Sequence, residues 1–211
     1  MKIAIIGAAE LGKLIAYHAV NDSGFEVAGY YDDFFKQKEF NDKPVFGNTS
    51  IILNDFEKGV FDKLIVAIGY SQMNARADVY NKFKGRIPFA NIIHSSCYID
   101  KSCLIGEGNF FLPGAVLDYG VIIHNNITLN TATVIAHHSE VCDHTFIAPG
   151  VTIAGLVKIE QRCFIGIGSI IKDCIIISEN CTIGAGAVVL ENTVAFTTSI
   201  GIPAEAIKSK L

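Results

Sequence analysis

From Ile99 onward an apolar residue recurs at every sixth position without a gap, through Ile105, Phe111, Leu117, Ile123, Leu129, Ile135, Val141, Ile147, Ile153, Ile159, Ile165, Ile171, Ile177 and Ile183 to Val189. Four positions after each of these stands a second series, mostly small or β-branched, that includes Cys103, Ala115, Thr133, Ser139, Thr145, Val157, Cys163, Cys181 and Ala187. A period of six matches neither the 2.0 of a strand nor the 3.6 of an α-helix. It is the signature of a parallel β-helix, in which short strands meet at turns and each coil covers the strand edges of the coil before it. Three hexads make one coil of about 18 residues. By that count Cys163 and Cys181 share a column with Thr145 and serve as core filling. The repeat breaks at Thr193-Val194-Ala195-Phe196 and leaves a tail containing Gly201-Ile202-Pro203-Ala204-Glu205. A flat-sided prism exposes large faces, which predicts a homotrimer that buries one of them and builds sites from two subunits.

Residues 1–95 follow different rules. Lys2-Ile3-Ala4-Ile5-Ile6 is an apolar run ending at Gly7, a buried strand followed by a tight turn. Leu11, Leu14, Ile15, His18 and Ala19 then recur at helical spacing, Asn21-Asp22-Ser23-Gly24 stops that helix, and Phe25 to Tyr31 reads as a second strand. Lys63 to Ile68 repeats the strand-then-glycine pattern at Gly69, a polar helix covers about Asn74 to Lys84, and Phe89 to Ile93 reads as a closing strand. The spacing therefore predicts a small doubly wound, Rossmann-like α/β domain over 1–95 and a β-helix domain with a C-terminal tail over 96–211.

Composition narrows the function. Half of the 211 residues are apolar and the formal net charge is −4, which argues against a disordered chain and against a partner in nucleic acid. No run approaches the roughly 18–20 apolar residues of a membrane helix, so the expectation is a cytoplasmic protein with no membrane partner. The six cysteines show no C-x-x-C pair and are read as reduced structural thiols. His18, His94, His124 and His144 share no zinc-type spacing with carboxylates, so no metal is expected.

Reactive side chains are densest from Asn130 to His144. Hexad phase puts His137 and His138 in a turn, facing away from the core. A histidine there suits general-base work near neutral pH, typically contributing about 10²–10⁴ in rate. His138, Glu140, Asp143 or a residue of a neighbouring subunit would orient it. Cys142 beside them reads as a turn residue rather than a nucleophile. In the first domain Gly7-Ala8-Ala9-Glu10-Leu11-Gly12 follows a strand as a nucleotide loop does, without the middle glycine of G-x-G-x-x-G. About half the length of a dinucleotide fold implies one mononucleotide moiety at the strand ends, with Asp32 and Asp33 placed to accept from base or ribose donors. Arg76 is read either as a phosphate partner or as a solvated charge on a helix face.

The Gly-Ala-x-x-x-Gly start, Asp32-Asp33-Phe34, Ala67-Ile68-Gly69, the gap-free hexads, the Asn130-Thr131…His137 block and the Gly201-x-Pro203-Ala204 tail together resemble the hexapeptide-repeat acyltransferases. Within that group the chain resembles the bacterial nucleotide-4-amino-sugar N-acetyltransferases and the related sialic-acid O-acetyltransferases. The resemblance implies a left-handed β-helix, a homotrimer, and acetyl-CoA as co-substrate in the groove between adjacent subunits. It implies His137 as general base with His138 beside it, and Phe146, Ile167 and Ala185 along acetyl-CoA. Ala9, Glu10, Leu11, Asp32, Asp33 and Gly69 would contact the nucleotide, and Lys208 or Lys210 the CoA phosphates. Glu205 stands where relatives commonly carry a basic residue, and Phe146 where they carry a second histidine. The implied activity is N-acetylation of the 4-amino group of a nucleotide-linked amino-deoxysugar for surface glycan assembly. The alternatives are O-acetylation of sialic acid or another sugar, and a non-catalytic nucleotide-sugar scaffold.

Overall fold

The computed structural model describes residues 1–209 and divides into two compact units, Met1–Ile93 with Glu107–Asn109, and His94–Gly106 with Phe110 onward. In the first unit the central strands are β1 (Lys2–Ile6), β2 (Glu26–Tyr31) and, further along the chain, Lys63–Val66. Helix α1 (Glu10–Asn21) fills the first crossover. Two short strands, β3 (Glu39–Phe40) and β4 (Lys43–Gly47), and helix α2 (Ile52–Glu57) precede the strand Lys63–Val66, which is β5, and helix α3 (Met73–Phe83) follows it. The sheet runs β3-β4-β2-β1-β5, parallel except for the β3–β4 hairpin.

The alternation of β1 decides the two faces. Ala4 and Ile6 join Tyr31, Leu64, Val66, Tyr80 and Phe83 in one buried cluster, while Ile3 and Ile5, equally buried, point to the opposite face. Each fully buried aliphatic side chain contributes on the order of 1.5–3 kcal/mol. The expected strand over Phe89 to Ile93 is shorter than the sequence predicts. Phe89 makes a single bridge to Leu64, and strand pairing covers only Ile92–Ile93. The reason is local: the Phe89 N–H donates to the Glu107 carboxylate at 3.0 Å instead of to a neighbouring strand.

The second unit is the predicted β-helix. Two-residue strands pair in parallel with the strand one coil away, so that Tyr98–Ile99, Val116–Leu117, Val134–Ile135, Thr152–Ile153, Ile170–Ile171 and Val188–Val189 form one sheet. A second sheet runs from Leu104–Ile105 through Ile122–Ile123, Glu140–Val141 and Lys158–Ile159 to Ile176–Ile177. A third contains Phe110–Phe111, Thr128–Leu129, Phe146–Ile147, Phe164–Ile165 and Thr182–Ile183, and Thr197–Ile200 and Glu205–Ser209 extend it as a terminal hairpin.

Both predicted columns are inside: from Phe111 to Val189 every sixth residue is buried, and so is the companion series from Asn109 to Ala187. Cys163 and Cys181 are buried in the column of Thr145, and all six cysteines are free thiols. The buried hydroxyls of Thr133, Ser139 and Thr145 in that series are paired at the corners, whereas the Ser169 hydroxyl has no hydrogen-bond partner among the described residues. Ser139 Oγ donates to the Ala154 carbonyl at 2.9 Å, and Thr145 Oγ1 to the Glu160 carbonyl at 3.2 Å. The corners have a second regularity: every sixth residue from Gly108 to Gly186 has positive φ, whether glycine or, as at Ala132, His138, His144, Leu156 and Cys174, not. Such a left-handed residue costs about 1–2 kcal/mol when it is not glycine. Here its N–H is used, since His138 donates to the Tyr119 carbonyl at 2.9 Å and Leu156 to the His137 carbonyl at 3.0 Å.

Candidate functional site

In the first unit the carboxyl ends of β1, β2 and β5 deliver Gly7, Asp32 and Ala67 to one rim, and with Thr49, Ser71 and Gln72 they enclose a cavity of about 510 Å³. Gly7, at φ 120°, is required there: a Cβ would lie 2.7 Å from the Ala67 carbonyl oxygen. Asp32 ties the loops together. Its Oδ2 accepts the Ala8 N–H at 2.8 Å, and its Oδ1 accepts those of Phe34 and Phe35 at 2.8 and 2.9 Å. Asp33 accepts from the Thr49 N–H at 2.6 Å and the Thr49 hydroxyl at 3.2 Å, and Lys82 Nζ donates to the same hydroxyl at 3.1 Å.

Of the six positions implied for the nucleotide, Ala9, Asp32, Asp33 and Gly69 line the cavity, while Glu10 and Leu11 start α1 and are not among the residues lining it. Phe34, with 84% of its surface exposed, stands in the cavity wall, although the Asp32-Asp33-Phe34 motif had marked only its two aspartates for a role. Thr49, Ser71 and Gln72 were equally unmarked. Their only sequence signal is that each lies in a turn just beyond a strand. Arg76 is corrected: it is neither solvated nor on the cavity wall. It is 1% exposed, and its Nη1 donates to the carbonyls of Ile68 at 2.8 Å and Val66 at 3.4 Å. Burial pushes its pKa down to about 10, which leaves it charged at neutral pH as a brace for the end of β5.

In the second unit the histidine pair occupies the corner between Val134–Ile135 and Glu140–Val141. Both side chains are exposed, as the hexad phase predicts. His137 Nδ1 lies 3.1 Å from His138 Nδ1. One of these nitrogens donates and the other accepts, so the contact fixes complementary tautomers. With Nδ1–H of His137 donating, its Nε2 holds the free lone pair. The Tyr119 ring meets His138 edge to face at 5.2 Å. Under His137 lies Gly155, one coil on, where a Cβ would come within 2.7 Å of both Cε1 and Nε2 of the imidazole. Gly150, Gly168 and Gly186 supply positive φ, but Gly155, Gly166 and Gly184 do not; these three are needed for close approach.

Neither Glu140 nor Asp143 holds His137. Glu140 pairs with His124 at 2.8 Å and Lys158 at 3.4 Å, and Asp143 accepts from Asn125 at 2.8 Å. Cys142 is half buried, and burial followed by the Glu140 charge pushes its thiol up to about 11, consistent with a turn residue that is no nucleophile. Ile167 and Ala185 are exposed and lie one coil apart at a different corner from His137; Phe146 is buried on a flat strand, 6.1 Å from Phe164. Lys210 lies outside the described residues, as does the side chain of Lys208.

Comparison with known proteins accounts for both units. The PglD N-terminal domain family matches residues 2–83, and the family described as the hexapeptide repeat of succinyl-transferase matches 156–191. The chain thus joins a segment similar to the PglD N-terminal domain to a run of hexapeptide repeats. Among solved structures, this chain shares its fold with PerB from Caulobacter crescentus, solved with CoA and GDP-perosamine, at 24% identity and a TM-score of 0.88, over 99% of this chain and 98% of that one. The acetyltransferase domain of PglB from Neisseria gonorrhoeae is 26% identical, with a TM-score of 0.86 over 98% and 99% of the two chains. That domain has also been solved with acetyl coenzyme A. No helix among the described residues is long and apolar enough to cross a membrane.

Proposed function

We propose that this protein is an acetyl-CoA-dependent N-acetyltransferase for the 4-amino group of a nucleotide-linked amino-deoxysugar, acting in the cytoplasm in surface glycan assembly. The observation that carries the reading is the His137–His138 contact at an exposed corner over Gly155. In this reading Nε2 of His137 takes the proton from the amine as its nitrogen bonds to the thioester carbonyl carbon. Backbone N–H groups of the corners hold the negative oxygen of the tetrahedral intermediate. The C–S bond then breaks, and the CoA thiolate recovers the proton from the imidazolium. His138 positions the ring and accepts from its Nδ1–H.

The nucleoside occupies the first unit's cavity, with Asp32 and Asp33 on its wall and the exposed Phe34 ring as a stacking surface for the base. Ile167 and Ala185 stand at a different corner from His137. A cofactor that touches both corners fits a groove between adjacent subunits, which supports the homotrimer. PerB, whose fold this chain shares, is solved with CoA and a GDP-linked sugar, in line with this substrate class.

The test is thiol release from acetyl-CoA with a panel of UDP-, dTDP- and GDP-linked 4-amino-deoxysugars. Release with one of them, lowered at least about 10²-fold in His137→Ala, supports the proposal. Release only with hydroxyl acceptors moves the activity to O-acetylation, and failure to bind acetyl-CoA makes the protein a scaffold.

A further inference from the structure

The coil period brings together a cluster that linear spacing conceals. His124 follows Ile122–Ile123, and one coil later come Glu140, paired in register with Ile122, and Cys142. His124 Nε2 lies 2.8 Å from Glu140 Oε1, and Cys142 Sγ lies 3.9 Å from that same oxygen. All three donor atoms fall within 4.8 Å of one another, and all three residues are half buried. Glu140 Oε2, the other oxygen, is held by Lys158 Nζ at 3.4 Å. The cluster opens on a cleft of about 410 Å³ that Asp143, Glu160 and Glu179 also line.

We propose that His124 Nε2, Glu140 Oε1 and Cys142 Sγ form a Zn²⁺ site with its fourth position open to the cleft. One imidazole, one carboxylate and one thiolate suit a borderline-soft cation and not Mg²⁺ or Ca²⁺, which take oxygen ligands. Bonds of about 2.0–2.3 Å separate tetrahedral ligands by roughly 3.3–3.8 Å, so small rotations of side chains already in contact complete the set. Lys158 on the far oxygen and the strand pairing beneath hold Glu140 in place, and the acidic lining of the cleft draws a cation in. Binding exchanges the thiol proton for the metal: the S–H bond breaks, the sulfur lone pair bonds to Zn²⁺, and the proton leaves to solvent. Burial and then the facing charges of Glu140, Asp143 and Glu160 oppose ionisation of the thiol, and Lys158 favours it. The cation would clip two coils together and stabilise the folded state, with no part in acetyl transfer.

The test is titration of metal-free full-length protein with Zn²⁺ against a chromophoric chelator, and with Co²⁺ as a spectroscopic substitute. The expected result is one ion per chain, a near-ultraviolet sulfur-to-cobalt band and visible bands of tetrahedral strength. Cys142→Ser should abolish the ultraviolet band and weaken binding at least 10²-fold, His124→Gln should weaken it at least tenfold, and Cys174→Ser, at an exposed cysteine, should change nothing. Absence of stoichiometric binding, an intact band in Cys142→Ser or its loss in Cys174→Ser overturns the site. If Cys142→Ser does not fold, His124→Gln decides alone: a Zn²⁺ dependence of the melting temperature identical to that of the wild type overturns the site, and a dependence shifted to at least tenfold higher Zn²⁺ supports it.

Discussion

Replacing Gly155 with alanine should disable His137 without touching it. The new Cβ would sit 2.7 Å from Cε1 and Nε2 and 3.2 Å from Cδ2 of the imidazole, and the three nearest atoms all belong to that ring. Carbon contacts are comfortable at about 3.5–4.0 Å, so the ring must retreat by roughly 1 Å. Because Gly155 does not have positive φ, the backbone accepts alanine, and loss of unfolded-state freedom alone favours the variant by about 0.4–1 kcal/mol. Misplacing a catalytic group by about 1 Å costs on the order of 10²-fold, and losing a general base altogether about 10²–10⁴-fold, or roughly 2.7–5.5 kcal/mol of barrier. The assay is thiol release at saturating acetyl-CoA for Gly155→Ala, His137→Ala and the double variant, each with its melting temperature. The expected outcome is a kcat at least 10²-fold down at near-native stability, with the double variant no worse than His137→Ala. A Gly155→Ala enzyme within about threefold of wild type, or a double variant whose losses multiply, would refute the idea that this glycine seats the base.

His138→Asn, which tolerates the left-handed corner and keeps an acceptor, should retain more kcat than His138→Ala; equal losses would remove His138 from the positioning role. Asp32→Ala frees the N–H groups of Ala8, Phe34 and Phe35, so KM for the nucleotide sugar should rise at least tenfold with KM for acetyl-CoA unchanged, as steady-state kinetics would report. Arg76→Met should lower stability by about 1–3 kcal/mol in urea unfolding through the two carbonyls it abandons, with little salt dependence, because it braces β5 and meets no phosphate. Burial opposes ionisation of Glu140, but hydrogen bonds and charge from His124 and Lys158 outweigh it and hold the carboxyl below its ordinary range. Its stabilising contribution is present above the unfolded pKa of about 4.3 and is lost as pH falls through the lower folded value, so the melting-temperature gap between wild type and Glu140→Gln should close in that window.

The β-helix was legible because its code is redundant: an interruption at any one hexad leaves many others to set the phase, and that phase alone exposed His137 and His138. The Rossmann-like unit was legible where long apolar strands met helical spacing, at β1, α1 and β2. The β3–β4 hairpin went unread, because its two- and five-residue strands carry no long apolar run and its turn pair Asn41-Asp42, both at positive φ, stands without a glycine. Arg76 was misread because helical periodicity says which side a residue faces but not whether free carbonyls wait there. The same limit hid Phe34, since exposure beside a cavity depends on how loops from separate strands converge. His124, Glu140 and Cys142 escaped because the zinc-spacing rules describe local turns, whereas here ligands meet across a coil, 16 and 18 positions apart.

The corner rhythm that places His138 at positive φ also works as a reading frame. Removing eighteen residues from the coil region would take out one storey and leave every column in phase. Removing six would keep inside and outside correct, yet turn everything downstream onto the next face, so that Gly155 would no longer lie beneath His137. Removing one would turn the interior outward. Length changes in such a chain are therefore quantised, and the position of the base relative to its glycine seat is inherited only by variants that respect the largest of these units.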